Sequence, residues 1–133
     1  MSNVTFNHFD AVPWVDETKK KAVPAEVIAE AAKAGARRKM LAQGETGIYV
    51  QYSELPANFR IDAHAHSHDE VITLLSGSCT VDGGTAMQAN DAVCIKGGTV
   101  YGFTAGPEGM VFLTIRGGDS DGRTLDFRWA DLY

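Results

Sequence analysis

Short apolar segments separated by glycine-containing turns fill most of this chain after Gly35. Glycine makes up 14 of the 133 residues, which is above the average of about 7%. The predicted strands cover residues 37–42, 48–54, 59–65, 70–75, 78–81, 85–88, 92–95, 100–104 and 110–116. Many short strands at even spacing, with turn residues between them, are typical of an all-β sandwich or barrel.

One helix and an extended arm precede the predicted strands. Within residues 23–34 the apolar residues recur at i, i+4 spacing, Pro24 suits the first turn, and Gly35 can end the helix. The aromatic residues before this helix must pack against another surface. We expect one domain, with the arm and helix in residues 1–36 and the β-barrel in residues 37–133.

Composition and charge exclude several classes of protein. The chain is 44% hydrophobic and 22% charged, which is typical of a globular domain rather than a disordered one. The formal net charge of −5 argues against a nucleic-acid partner. No segment has the roughly 20 apolar residues of a membrane span, and the first ten residues lack a signal-peptide pattern. We therefore expect a cytoplasmic protein with no membrane partner.

Three of the four histidines lie close together, in residues 64–68. In a regular strand, His64, His66, His68 and Glu70 would all point to one face. Imidazole and carboxylate together suit a first-row transition metal, and two histidines with one carboxylate leave coordination positions open. The alternative is a cluster held by hydrogen bonds alone. Burial without a metal would leave many polar groups needing partners, and this favours a metal site.

This segment resembles the first motif of the cupin superfamily, which reads G-x5-H-x-H-x3,4-E-x6-G. His64, His66, Glu70 and Gly77 stand at the motif's fixed positions. Asn58 replaces its leading glycine.

The second cupin motif, G-x5-P-x-G-x2-H-x3-N, corresponds to residues from position 90 onward and is degraded. Gly98 is retained, whereas Asn90 replaces the glycine and Lys96 the proline. Tyr101 stands where the family has the histidine that supplies its usual fourth metal ligand.

The cupin resemblance implies a double-stranded β-helix, or jelly-roll barrel, with a metal between its sheets. The ligands it implies are His64, His66 and Glu70, with Tyr101 opposite them. Three roles for Tyr101 are open: a phenolate ligand, a general acid or base beside the metal, or a core aromatic in a lost site. A phenol has a reference pKa near 10, so it ligates well only if the metal assists deprotonation. His68 could instead replace the missing imidazole, unless the strand bends and turns it outward.

The function that these features favour is that of a metal-dependent enzyme acting on a small organic molecule. By the resemblance, the expected cofactor is a divalent transition metal: Fe(II), Mn(II), Ni(II) or Zn(II). The resemblance also implies either the chemistry of an oxygenase, such as a dioxygenase, or Lewis-acid isomerase or lyase chemistry, and we expect Tyr101 or His68 to be the proton-transfer residue. The alternatives are a non-catalytic small-molecule-binding or sensory cupin and a degenerate cupin without metal. The aromatic arm, apolar residues on both faces of 71–75, and the resemblance together predict a homodimer.

Two side-chain orientations stay open at this point. Arg60 either faces the pocket, where it could bind a substrate carboxylate, or forms a surface salt bridge. Tyr49, Gln51 and Ser53 alternate with their neighbours, so that either this set or the intervening set faces inward.

Overall fold

A computed structural model describes residues 3–17, 24–117 and 126–128 of the chain, the last of these by backbone only. The described elements, in chain order, are a 3₁₀ turn (Phe9–Ala11), α1 (Ala25–Ala34), β1 (Arg37–Gln43), β2 (Tyr49–Leu55), β3 (Arg60–His66), β4 (Glu70–Val81), β5 (Thr85–Gln88), β6 (Ala92–Ile95), β7 (Tyr101–Arg116) and β8 (Asp126–Arg128). No helix in these segments is long and apolar enough to cross a membrane.

The predicted helix is present and begins at Ala25, with Pro24 at its N-cap. Gly35 ends it with a φ of 101° and donates its backbone N–H toward the last carbonyls of the helix. This left-handed conformation is the usual one for a glycine after a helix.

The strands pair antiparallel throughout the described sheet, in the order β1-β2-β7-β3-β8. β4 pairs with β7 along the second edge of that strand and also with β5 and β6. β7 therefore has β4 along one edge and both β2 and β3 along the other.

β4 and β7 are single long strands, whereas the sequence predicts two short strands at each place. The predicted turns are present as irregularities within the strands. Ser78 of β4 lies opposite residues 106–109 of β7, because the pairing shifts between Gly77 and Cys79. A side chain on Gly77 would overlap the carbonyl of Gly109, so glycine is required at this crossing. The glycine pattern thus marks a bulge rather than a chain reversal.

The interior is apolar along most of the barrel and polar at one end. The apolar part is formed by Ile72, Leu74, Cys79, Met87, Ile95, Tyr101, Phe103, Ala105, Met110 and Phe112. The polar end contains buried Gln51, Ser53, His64, His66, Glu70 and Thr114. On β2 the set that faces inward is Tyr49, Gln51 and Ser53, which settles the alternation that the sequence leaves open.

Phe9 and Trp14 of the arm pack on the outer face of β1 and β2, whereas Phe6 is 79% exposed and does not follow the expectation that the arm's aromatic residues pack. Phe9 meets Tyr52 edge to face, with ring centroids 4.8 Å apart. Lys39 is only 5% exposed, donates a hydrogen bond to the carbonyl of Phe9 at 2.7 Å, and lies 3.9 Å from the centre of the Phe9 ring. Arg37 stacks on Trp14 at a similar distance. Cation–π contacts and buried aromatic area therefore hold the arm to the barrel.

Candidate active site

A cluster of buried and half-buried polar side chains lies where β3, β4 and β7 meet. We refer to its members, His64, His66, Glu70, Tyr101 and Arg116, as the polar cluster. Strand register brings them together: His64 is paired with Tyr101 across β3 and β7, and Glu70 with Arg116 across β4 and β7. Directly paired residues point to the same face of a sheet. The two pairs lie at opposite ends of β7, and the contacts of Glu70 with Tyr101 and His66 join them.

The carboxylate of Glu70 is the most deeply buried charge described, at 1% exposure. Its Oε1 accepts a hydrogen bond from the hydroxyl of Tyr101. Its Oε2 accepts one from Nε of Arg116 at 2.5 Å and is also ion-paired with Nη2. A carboxylate this deeply buried needs such charge compensation, because desolvation strongly penalises an isolated ion.

Arg116 has a second partner on the opposite side of β7. Its Nη1 donates to the hydroxyl of Tyr49 at 2.5 Å, and Tyr49 is the residue paired with Arg116 across β2 and β7. The guanidinium therefore bridges three neighbouring strands at one level of the sheet.

The two histidines lie edge to face, with ring centroids 4.8 Å apart and planes at 81°. Nδ1 of His64 lies 2.8 Å from the carbonyl oxygen of Asp62. A carbonyl only accepts hydrogen bonds, so Nδ1 carries a proton and the neutral ring has its lone pair on Nε2. A ring oriented by such a bond is the usual state of a metal-binding histidine. Nε2 of His66 lies 3.5 Å from Oε2 of Glu70.

Tyr101 lies beside the histidines, on the strand that pairs with β3. Its ring centroid is 4.7 Å from that of His64 and 6.4 Å from that of His66. Phe103 stacks nearly parallel to it at 6.2 Å on the apolar side. Tyr101 thus places a hydroxyl against the carboxylate of Glu70 at the boundary between the polar and apolar parts of the interior.

The two asparagines at the predicted motif-glycine positions have a backbone conformation that glycine favours. Asn58 and Asn90 have φ values of 61° and 76° and are the non-glycine residues with positive φ in the described segments. Asparagine enters this left-handed region more readily than other non-glycine residues. Gly98, which is retained, donates its backbone N–H to the carbonyl of His66 at 2.7 Å. The turn at Gly98 therefore packs against the end of β3.

His68 does not share the strand alternation of the other two histidines. β3 ends at His66, and a bend of three residues separates it from Glu70, the first residue of β4. His68 is half-buried in this bend, with its Nδ1 2.7 Å from the hydroxyl of Ser67. The structure thus shows the bend that would turn His68 outward, and its role as a proton-transfer residue stays a prediction.

The polar cluster has the donor types of a transition-metal site. In the part of the chain that the structure describes, however, no three His, Cys, Asp or Glu side chains converge to enclose an ion. The two imidazoles and the carboxylate fit the chemistry of a first-row metal. The guanidinium of Arg116 and the hydroxyl of Tyr101 take up the oxygens of Glu70. The cluster therefore has donor atoms of the types that bind such a metal, and a metal would compete with Arg116 for the carboxylate of Glu70.

Arg60 forms a surface salt bridge rather than facing the site. Its Nη1 and Nη2 contact the two oxygens of Asp82 at 2.7 and 2.9 Å, and both side chains are more than 40% exposed. The hydrogen bond from Arg60 lowers the pKa of Asp82 below its ordinary value. Arg60 is therefore not available as a substrate clamp.

Sequence reasoning missed Arg116 as a member of the site. The signal was present: Met110, Phe112, Thr114 and Arg116 share parity in β7, and the first three are buried. An arginine at the end of an inward-facing row points to a buried partner of opposite charge.

Neither a protein-family model nor a curated protein matches the sequence. Solved structures do match. An RmlC-like cupin from Shewanella frigidimarina is 17% identical, with a TM-score of 0.65 over 84% of this chain and 88% of that one. The polyketide cyclase RemF from Streptomyces resistomycificus is 18% identical, with a TM-score of 0.66 over 97% and 85%. An acetylacetone dioxygenase from Acinetobacter johnsonii is 22% identical, with a TM-score of 0.58 over 74% of each chain. These matches confirm the predicted all-β jelly-roll fold.

Proposed function

We propose that this chain, which has the cupin fold, is a metal-dependent enzyme acting on a small organic molecule at the polar cluster. The observation that supports this most is the contact of a phenol, two imidazoles and an ion-paired carboxylate inside the barrel. Burial of so many titratable groups has a large desolvation cost, and such clusters are typical of functional sites. Two of the similar structures are named for reactions of small organic molecules, a dioxygenase and a cyclase.

His64, His66 and Glu70 are the residues that would hold the metal: Fe(II), Mn(II), Ni(II) or Zn(II). Two imidazoles and one carboxylate leave further coordination positions for water, oxygen or substrate. When bound, a metal of this kind supports oxygen activation or acts as a Lewis acid on a substrate carbonyl. The carbonyl of Asp62 keeps His64 in the tautomer that this role requires.

Tyr101 is the proposed proton-transfer residue. Its hydroxyl bonds to Glu70, and its ring lies beside both histidines, so it can give a proton to a substrate atom and recover one through the cluster. Phe103 stacks beside the ring and belongs to the apolar core that borders the cluster. His68, in the bend before Glu70, is the alternative proton-transfer residue.

Elemental analysis of protein purified without a metal-affinity tag tests this proposal. The proposal predicts near-stoichiometric iron, manganese, nickel or zinc that is lost in a His64→Ala, His66→Ala double variant. His8→Ala is the matched control, because His8 is exposed on the arm and its removal should leave the metal content unchanged. His68→Ala should also retain the metal.

A metal content that is negligible, unchanged by the double substitution and not restored by adding Fe(II), Mn(II) or Zn(II) would contradict the proposal. A metal-free small-molecule-binding role would then be the better account. The homodimer, the small-molecule partner, the cytoplasmic location and the division of the chain at residue 37 stay predictions.

A further inference from the structure

We propose that Arg116 is a positioning residue that competes with the metal for Glu70 and so weakens metal binding at the polar cluster. The inference rests on the proposed function, because it concerns the same metal. It concerns a residue outside the ligand set, whose side chain acts through Glu70.

The first argument comes from the hydrogen bonds of Glu70. Its Oε2 faces both Nε and Nη2 of Arg116, and its Oε1 faces the hydroxyl of Tyr101. Oε2 is also the oxygen that lies 3.5 Å from Nε2 of His66. The oxygen that faces His66 is therefore the one that the guanidinium holds, and a metal bound between His66 and this oxygen must displace Arg116 from it.

The second argument concerns how firmly Arg116 is held. Its side chain is 11% exposed, and it lies between its two cross-strand partners, Glu70 and Tyr49. Nη1 bonds to Tyr49, whereas Nε and Nη2 bond to Glu70. The guanidinium can thus leave the carboxylate and still keep one partner, which makes displacement by a metal feasible.

The third argument is electrostatic. A guanidinium is charged at every accessible pH, and its repulsion of a divalent ion is strong where water is excluded. Removal of this charge should therefore tighten metal binding, although the same change leaves a buried carboxylate without its partner. An ion pair with a structural role alone would show only the loss of stability.

The test is a titration of metal-free protein with Zn(II) against a chromophoric chelator near neutral pH. Arg116→Gln should bind Zn(II) about tenfold to a hundredfold more tightly than the unsubstituted protein. Arg116→Lys, which keeps the charge, should stay close to the unsubstituted protein. The matched control is Arg60→Gln, which removes a surface arginine and should change nothing. A Glu70→Gln substitution added to Arg116→Gln should abolish the gain.

Three results would overturn the inference, and they are distinguishable. Equal or weaker Zn(II) binding by folded Arg116→Gln would show that Arg116 is structural, and the proposed metal function would stand. An equal gain in Arg116→Lys would show that shape rather than charge matters. Failure of both the unsubstituted protein and Arg116→Gln to bind Zn(II), Mn(II) or Fe(II) would overturn the metal function itself, and this inference with it. If Arg116→Gln does not fold, as judged by circular dichroism, Arg116→Met keeps the apolar stem and replaces it in the titration.

Discussion

We expect the ion pair between Glu70 and Arg116 to be among the single interactions that contribute most to the free energy of unfolding of the metal-free protein. Arg116→Met leaves a carboxylate that is 1% exposed without its guanidinium. Breaking a buried pair in this way costs about 3–5 kcal/mol. The hydrogen bond from Tyr101 remains, so we expect a cost near the lower end, about 3 kcal/mol. Urea unfolding of chelator-treated protein measures it, and Tm should fall by about 10 °C.

A double-mutant cycle separates the pair from other effects of the substitution. The Glu70→Gln, Arg116→Met double variant should cost less than the sum of the two single variants, with a coupling energy of about 2 kcal/mol. The matched control is Arg37 with Glu54, an Arg–Glu pair that is also directly cross-strand but lies on the surface, with 51% and 27% exposure. Its coupling should be below about 1 kcal/mol. A buried coupling no larger than this surface value would refute the reasoning.

Three smaller predictions concern single residues. Asn90→Ala should be less stable than Asn90→Gly by about 1 kcal/mol in urea unfolding, because φ is 76° at this position; equal stabilities would show that the turn relaxes. Tyr101→Phe should lower the free energy of unfolding by about 1–3 kcal/mol, because the hydrogen bond to Glu70 is lost. Elemental analysis should show an unchanged metal content, and a fall would identify Tyr101 as a ligand. Arg60 holds the pKa of Asp82 below its ordinary value. This pair therefore stabilises the protein at a pH above the unfolded-state pKa of about 4. The contribution is lost as the pH falls through the lower folded-state pKa. Asp82→Asn should therefore cost at most about 1 kcal/mol near neutral pH and progressively less in acid, and a cost that grows in acid would contradict this sign.

Local sequence patterns were sufficient for most element boundaries, but not for the continuity of β4 and β7, each of which was predicted as two strands. Residue alternation and glycine-rich turns predict the described strands from β1 to β7 to within two residues at most boundaries, because burial on one face and turn geometry are local properties. The i, i+4 pattern with Gly35 predicts the helix for the same reason. β8, at Asp126–Arg128, was not predicted.

The contacts of the site depend on pairing between distant strands, which the local pattern does not contain. Glu70 and Arg116 are separated by 46 positions, and alternation shows only which face each side chain takes, not which strand lies beside it. His68 shows a different limit of the local pattern: alternation applies only within one strand. Alternation places it with His64 and His66, but the strand ends at His66 and the parity rule ends there too.

X-ray absorption spectroscopy at the zinc edge of Zn(II)-loaded protein tests the central claim most directly. The account predicts nitrogen and oxygen ligands at about 2.0–2.2 Å, with outer-shell scattering from two imidazoles that disappears in the His64→Ala, His66→Ala variant. Sulfur at about 2.3 Å, from either of the free cysteines, buried Cys79 or exposed Cys94, would contradict it. An oxygen-only shell without imidazole scattering would contradict it too.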